Sequence, residues 1–247
     1  MMRRFFISQE IGPGDQISIT GELAHRIFRV IRLSSGDEIV LFNGSGMDMV
    51  ARLDSVSKNS VIATMISHKT STTEPDLALT LYQGLMKGDK FDWVLQKGTE
   101  LGISRFVPLV CKRSIPGVNF TEPSRKIKRW RKIVVESAEQ CGRSLIPIVT
   151  DPIDFFTACQ EVDSESLALI PWESAQGCSL KDVIGSLRVK KIDVFIGPEG
   201  GFQTQEVEFA GRCGIVPVSL GPRIFRAETA GIVATAVMMY EADELGG

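Results

Sequence analysis

The chain has 247 residues, of which 43 % are hydrophobic and 23 % charged, and its formal charge is −2. That length holds two domains with sizeable cores, the composition is that of an ordinary globular protein, and the slight acidity excludes a uniformly basic nucleic-acid binder, so any basic surface is local. Five cysteines, Cys111, Cys141, Cys159, Cys178 and Cys213, form no Cys-x-x-Cys pair and have only His25 and His68 beside them; they read as reduced, mostly buried thiols of a cytoplasmic protein, and no metal site is expected.

Taken in order, the chain opens on short strands: Phe5-Phe6-Ile7, Gln16 to Thr20, Glu38 to Phe42, Asp48 to Val56 and Val61 to Ser67. Turn signals separate them at Gly12-Pro13-Gly14-Asp15, Ser34-Ser35-Gly36-Asp37 and Asn43-Gly44-Ser45-Gly46. Phe5-Phe6-Ile7 is far too short for the core of a signal peptide. A helix is predicted over Glu22 to Ile31, with Ala24, Ile27, Phe28 and Ile31 on one face. The pattern implies a small β barrel. Its arginines Arg3, Arg4, Arg26, Arg29 and Arg32 cluster at the N-terminus and on this helix, which on the residues alone is equally a solvated face. The polar, proline-bearing stretch Lys69 to Asp76 marks a boundary, giving domains over 1–72 and 73–247.

Beyond it, strands alternate with helices, as in a mostly parallel sheet. Leu77 to Gln83 reads as a strand, Gly84 to Gly88 as a loop, Asp89 as the cap of a helix ending at Gly102, and Arg105 to Val110 as the next strand. Lys87, Lys97 and Arg113 are candidate phosphate contacts. Ser124 to Gln140 is an amphipathic helix whose apolar stripe is Ile127, Trp130, Val134, Ala138 and Cys141. Six of the eight residues from Arg125 to Lys132 are Arg or Lys, which fits an RNA footprint and a solvated helix face equally. Leu167 to Ile170 is a strand running into Pro171-Trp172-Glu173, and Ser179 starts a short helix with Asp182 at its third position.

Two strand-to-loop junctions follow that are too rich in glycine and charge to be ordinary turns. In the first, Ile192 to Ile196 leads into Gly197-Pro198-Glu199-Gly200-Gly201 and a helix from about Thr204; in the second, Val216 to Leu220 leads into Gly221-Pro222-Arg223-Ile224-Phe225-Arg226 and a long alanine-rich helix. Such loops at the carboxyl ends of neighbouring strands are where an open α/β sheet places a ligand, and their glycines let the backbone approach it closely. The spacing is that of neither a phosphate loop nor a dinucleotide fingerprint. Glu199 inside the loop disfavours a phosphate and suits a ligand that is neutral or cationic nearby, such as S-adenosylmethionine. The last helix sets Ala227, Ala230, Gly231, Ala234 and Ala236 among larger apolar residues, which fits core packing and a dimer interface alike; its apolar run, Ala230 to Tyr240, is too short to span a bilayer.

Gly197-Pro198-Glu199-Gly200-Gly201-Phe202 and Leu220-Gly221-Pro222-Arg223-Ile224-Phe225-Arg226-Ala227-Glu228-Thr229-Ala230 closely resemble two signature loops of the bacterial 16S ribosomal RNA uridine N3-methyltransferases (the RsmE family), which belong to the SPOUT superfamily. Arg3-Arg4-Phe5-Phe6, the segment His25 to Arg32, Lys87-Gly88, Glu100-Leu101-Gly102, Arg113-Ser114 and Glu136 to Arg143 extend the similarity over nearly the whole chain. The resemblance implies an α/β protein with a C-terminal SPOUT-type trefoil-knotted parallel-sheet domain and a small N-terminal PUA-like β-barrel, bound S-adenosylmethionine, a homodimer, and 16S ribosomal RNA in the small ribosomal subunit as partner.

It further implies a cofactor pocket lined by Leu169, Ile170, Gly197, Pro198, Glu199, Gly200, Leu220, Gly221, Ile224 and Phe225, and RNA contacts from Arg3, Arg4, His25, Arg29, Arg32, Lys87, Arg113 and Arg143. The reaction expected is methyl transfer to N3 of a uridine. N3 carries a proton and is a poor nucleophile, so the enzyme must favour its removal and stabilise the charge left on the two carbonyls. Arg223 and Arg226 are the candidates for stabilisation; Glu228 or Glu139 is the candidate base. Phe225 and Ala227 stand where the family commonly has Leu and Thr. A non-catalytic RNA-binding protein with a vestigial methyltransferase fold is the alternative, which cofactor titration separates. A hydrolase ranks last, since the chain has no Gly-x-Ser-x-Gly elbow or phosphate loop.

Overall fold

A computed structural model describes residues 2–10, 12, 14–114, 125–175, 177–185 and 189–246. By their contacts they form two compact units, Met1–Glu74 with Ala138–Ile146, and Pro75–Ser137 with Pro147–Gly247.

The alternating N-terminal segments become β1 (Arg3–Phe6), β2 (Gln16–Thr20), β3 (Glu38–Phe42), β4 (Met47–Val56) and β5 (Ser60–Thr70). They make one sheet in the order β1-β3-β4-β5-β2, parallel only between β1 and β3. Period-two alternation turns Ile17 and Ile19 of β2, and Val61, Ala63 and Met65 of β5, into a single core. The helix expected over Glu22 to Ile31 is instead α1 (Gly21–His25) followed by a π-helical turn, Arg26–Ile31. The wider turn keeps Ala24, Ile27 and Ile31 on the core while Arg29 and Val30 remain exposed. Arg32, left-handed at φ 62°, ends it.

The second segment of this unit, 138–146, is tied to the strands by charged groups. Arg4 donates two 2.8 Å hydrogen bonds to Asp48 and one of 2.9 Å to Ser144, whose hydroxyl also bonds Asp48. Arg143 pairs with Glu74 at 3.0 Å, and Glu139 accepts from the Phe6 N–H and from Arg26. Burial pushes the Asp48 carboxyl up, but the bonds from Arg4 and Ser144 and the charges of Arg4 and Lys69 outweigh it and hold the group below the usual carboxylate range. A group titrating lower in the folded state than in the unfolded one gives a contribution that is whole above about pH 4 and fades as pH falls through the folded value. Asp48→Asn strands a buried Arg4 and is expected to destabilise this unit by about 3 kcal/mol at pH 7, with the gap to wild type narrowing toward pH 3. All three tryptophans, Trp93, Trp130 and Trp172, lie in the other unit, so amide hydrogen exchange in β1 and β4 is the measurement that checks it.

In the second unit, β6 (Ala78–Gly84), α2 (Lys90–Glu100), β7 (Arg105–Val110), α3 (Arg125–Cys141), β8 (Ile148–Val149), β9 (Ile153–Asp154), α4 (Phe155–Gln160), β10 (Leu167–Pro171), α5 (Leu180–Ile184), β11 (Lys191–Ile196), α6 (Thr204–Arg212), β12 (Val216–Val218) and α7 (Ala227–Glu241) follow in turn, the end of α3 passing into the first unit. The sheet is wholly parallel, in the order β12-β10-β11-β6-β7-β8, with β9 also on β7. Its central strands are buried on both faces, as helix cover requires. Tyr82 stacks on Phe195 at 4.2 Å beneath Phe155 of α4, while Leu81 and Gln83 point at Gly231 of α7.

Of the expected stripe of α3, Ile127, Trp130, Val134 and Ala138 are buried and Cys141 is half-buried. Much of its basic run is engaged locally, Arg129 by Asp89 and Asp92, Arg131 by Asp151, Lys132 by Glu136 and Lys126 over the Trp130 ring. Asp89 precedes α2 but its side chain makes no capping bond; it accepts from Arg129 instead. Ser179 starts α5 as expected, and it forms a capping box with Asp182. Cys111 and Cys159 are buried, and burial pushes both thiols up, that of Cys159 to about 12. Among the described residues no helix is long and apolar enough to cross a membrane and no cluster could hold a metal ion.

Candidate functional site

The two glycine-bearing loops do meet, though not as neighbours. β10 lies between β11 and β12, an order that local patterning does not encode, and its own loop Pro171-Trp172-Glu173 fills the gap. Together the three loops, at the carboxyl ends of three parallel strands, enclose a cavity of about 430 Å³ with the start of α7 and with Lys90 of α2. That volume suits a ligand of cofactor size.

The loop after β11 is held from beneath. A methyl group on Gly84, at the end of β6, would lie 2.4 Å from the Pro198 nitrogen and 2.7 Å from the Gly197 carbonyl carbon, so only glycine lets the two backbones approach this closely. Gly201 takes φ +67°, with the Glu173 carboxylate 3.6 Å from where its Cβ would be. Arg113 Nη1 donates to the Gly200 carbonyl at 2.7 Å.

At the start of helix α6 the buried Glu206 sets a carboxylate where an anion would otherwise sit, and it accepts from the Gln203 N–H at 2.8 Å. Glu206 also accepts from the Lys112 N–H at 2.9 Å. Glu199, read from sequence as the charge offered to a cation, is already engaged: its Oε1 accepts from the Lys87 N–H at 3.1 Å and from Lys90 Nζ at 3.0 Å. Burial raises its carboxyl, yet these bonds outweigh it and keep it below the usual range. Lys90 also lies 3.9 Å from Glu228 Oε2, a buried oxygen with no hydrogen-bond partner. The acidic groups facing the cavity are therefore Glu173, Glu199 and Glu228, and the basic ones Lys90, Arg223 and Arg226. Among the described residues neither arginine side chain has a hydrogen-bond or ion-pair partner, and both residues are exposed.

Gly197, Pro198, Glu199, Gly200, Leu220, Gly221, Ile224 and Phe225 thus line one cavity with Arg223, Arg226 and Glu228. Leu169 and Ile170 do not: they are fully buried inside β10, one step short of its loop. Glu139 is likewise not among the lining residues, and both its oxygens are occupied in the first unit by Phe6 and Arg26. In that unit Arg3, His25, Arg29 and Arg32 are exposed, whereas Arg4 and Arg143 are turned inward onto Asp48 and Glu74. Lys87 and Arg113 are exposed in the second unit. Sequence reasoning missed Lys90 and Gly84. The one available signal was a lysine at the first position of a helix, where the dipole disfavours a cation.

Residues 73–239 match the RNA methyltransferase domain family, and residues 19–66 match the RNA methyltransferase PUA domain. The chain is 35 % identical over an alignment of 254 residues to the ribosomal RNA small subunit methyltransferase E of Bacillus subtilis, covering 100 % of this chain and 99 % of the relative. Its fold superposes on the crystal structure of a ribosomal RNA small subunit methyltransferase E from Neisseria gonorrhoeae bound to S-adenosyl methionine, with a TM-score of 0.89, 32 % identity and coverage of 97 % and 98 % of the two chains. A putative methyltransferase from Legionella pneumophila, in complex with the same cofactor, superposes with a TM-score of 0.89 at 28 % identity over 97 % and 98 %.

Proposed function

Since this chain belongs to the RsmE family of ribosomal RNA small subunit methyltransferases, we propose that it uses S-adenosylmethionine to methylate N3 of a uridine in 16S ribosomal RNA. Methylation of small-subunit ribosomal RNA with this cofactor follows from the family; the uridine and its N3 are the finer reading. The single observation that carries it is the cavity where the loops after β10, β11 and β12 meet.

The residues fit the cofactor. A ligand bearing a sulfonium, an ammonium and a carboxylate meets groups of both signs there, and the unpartnered Glu228 oxygen and the close glycine backbones are what a polar, tightly held molecule needs. Gly197, Gly200, Leu220, Gly221, Ile224 and Phe225 would hold it, chiefly by backbone, with Trp172 and Glu173 at the facing edge. The cofactor, when bound, supplies an electrophilic methyl group. Arg223 and Arg226, unpaired at the rim, stabilise the negative charge spread over the uracil carbonyls, and Glu228 accepts the N3 proton. Holding both substrates in place supplies much of the remaining acceleration.

Exposed Arg3, His25, Arg29 and Arg32 on the barrel, with Lys87 and Arg113, are assigned to RNA phosphates; Arg4 and Arg143 are assigned to the barrel's own fold. On α7, Ile232, Val233, Ala236 and Val237 are only half-buried and Tyr240 is 64 % exposed, which supports a homodimer through this helix; the knotted threading and cytoplasmic setting are proposed from the family resemblance alone. Sedimentation should give twice the 27.1 kDa chain mass, and Val233→Glu should return it to the monomer.

Incubation with small ribosomal subunits and labelled cofactor, followed by mapping of the modified nucleotide, tests the function. Label at N3 of one uridine is expected. Label on another base, or none in small-subunit RNA, would overturn the reading.

A further inference from the structure

Gln83 is the penultimate residue of β6 and is fully buried. Leu79 and Leu81 precede it on the same face of a strand that packs against α7, so the period-two pattern calls for a third apolar side chain. An amide is unfavourable there unless its donors and its acceptor all find partners. Only the donors do. Nε2 donates to the Gly197 carbonyl at 3.4 Å and to the Gly84 carbonyl at 3.5 Å, while Oε1 is buried with no hydrogen-bond partner among the described residues. The reverse orientation would set the amide oxygen against those two carbonyls, which fixes the donors on that side.

A second departure from a stable core stands opposite the first. Gly231 lies inside α7, where glycine is a poor helix former. A methyl group on it would lie 2.7 Å from Gln83 Oε1, so the helix is notched to admit the amide oxygen. An unpartnered buried carbonyl and an interior helix glycine both weaken the fold, and both serve one side chain. What that side chain reaches is Gly197, where the chain leaves β11 for the loop lining the cavity; Gln83 pairs in register with Ile196, the residue just before it. Local rules broken together at one buried position belong to a functional site.

We propose that Gln83 is a positioning residue for the donor pocket, aiming the Gly197 carbonyl and so setting the path of the loop over 197–201, with Gly231 as the notch that admits it. This rests on the function proposed above. Gln83 is not among the residues lining the cavity and acts on the donor through Gly197. Bonds of 3.4 and 3.5 Å are long for an amide, so the effect of losing them is modest and shows as a split between binding and stability.

Gln83→Met keeps the length of the side chain and removes both polar atoms. Its urea midpoint should equal or exceed that of wild type, because the unpartnered oxygen goes with the amide. Affinity for S-adenosylmethionine, read by titration calorimetry without RNA, should fall about three- to tenfold, the span of one neutral hydrogen bond. In the ligand-free protein, exchange of the Gly201 N–H, which bonds the Pro198 carbonyl at 2.9 Å, should quicken by a similar factor. Gly231→Ala, which pushes the amide from its notch, should lose the same affinity with a raised midpoint, and adding it to Gln83→Met should lower affinity no further. Affinity and Gly201 exchange both unmoved in Gln83→Met overturn the proposal, as does a midpoint that falls in step with affinity, the mark of packing alone. A wild type that binds no S-adenosylmethionine would instead sink the functional reading, and Gly201 exchange would still decide whether Gln83 holds the loop.

Discussion

A Gly84→Ala protein is expected to bind the methyl donor at least about a hundredfold more weakly than wild type. The added carbon would sit 2.4 Å from the Pro198 nitrogen and 2.7 Å from both the Gly197 carbonyl carbon and Pro198 Cδ. Those neighbours are backbone and a proline ring, so no flexible side-chain tip can swing away. Restoring ordinary contact needs a displacement of about 1 Å, on the scale at which a misplaced site loses about two orders of magnitude. The fold suffers as well, by about 1–3 kcal/mol for an overpacked interior. Titration calorimetry with the donor and urea unfolding measure the two effects. Gly211→Ala is the control: nothing lies within 4 Å of its added carbon, and in an α6 position alanine should stabilise by about 0.5–1 kcal/mol. Unchanged donor affinity in Gly84→Ala would show that the loop after β11 does not depend on the β6 crossing.

Arg226→Ala is expected to lower kcat by about 10²–10³, the usual cost of removing one donor from a developing oxyanion, while donor affinity stays near that of wild type. The split follows from where the residue stands. Arg226 is the N-cap of α7 but makes no capping hydrogen bond with its side chain, and it lines the cavity while exposed. With no side-chain hydrogen bond or ion pair to lose among the described residues, the variant should keep its stability within about 0.5 kcal/mol. Single-turnover rates and calorimetry on the same preparation separate the two quantities. A wild-type rate would remove Arg226 from the mechanism, and a parallel loss of donor affinity would reassign it to binding.

The order and type of most elements were legible because they rest on short-range chemistry. Ile17 and Ile19 alternate, Trp130 and Val134 repeat at the helical period, and Ser179 with Asp182 encodes its own cap. The two site loops were legible for the same reason, their glycines and charges being contiguous in the chain. What escaped depends on distant partners. Nothing near Arg4 or Arg143 announces that Asp48 and Glu74 would take them from the surface, or that Phe6 and Arg26 would occupy Glu139. The 3.6-residue period set Phe28 on the core face with Ile27 and Ile31, but Arg26 to Ile31 widens into a π turn and Phe28 is half-buried outside the core cluster. Glu199 lines the cavity, and what its neighbours in the chain could not show is that Lys90, 109 positions away, bonds its carboxylate.

The strands of the N-terminal unit are complete by Thr70, yet Arg143 and Glu139 supply the far ends of two of its ion pairs and Ser144 a further bond to Arg4. During synthesis at the usual 5–20 residues per second, that unit waits on the order of 4–14 seconds for those partners to be made. A chain built only as far as Glu74 can join Asp48 to Arg4, while Glu74 and Arg26 stay without the partners that Arg143 and Glu139 bring later.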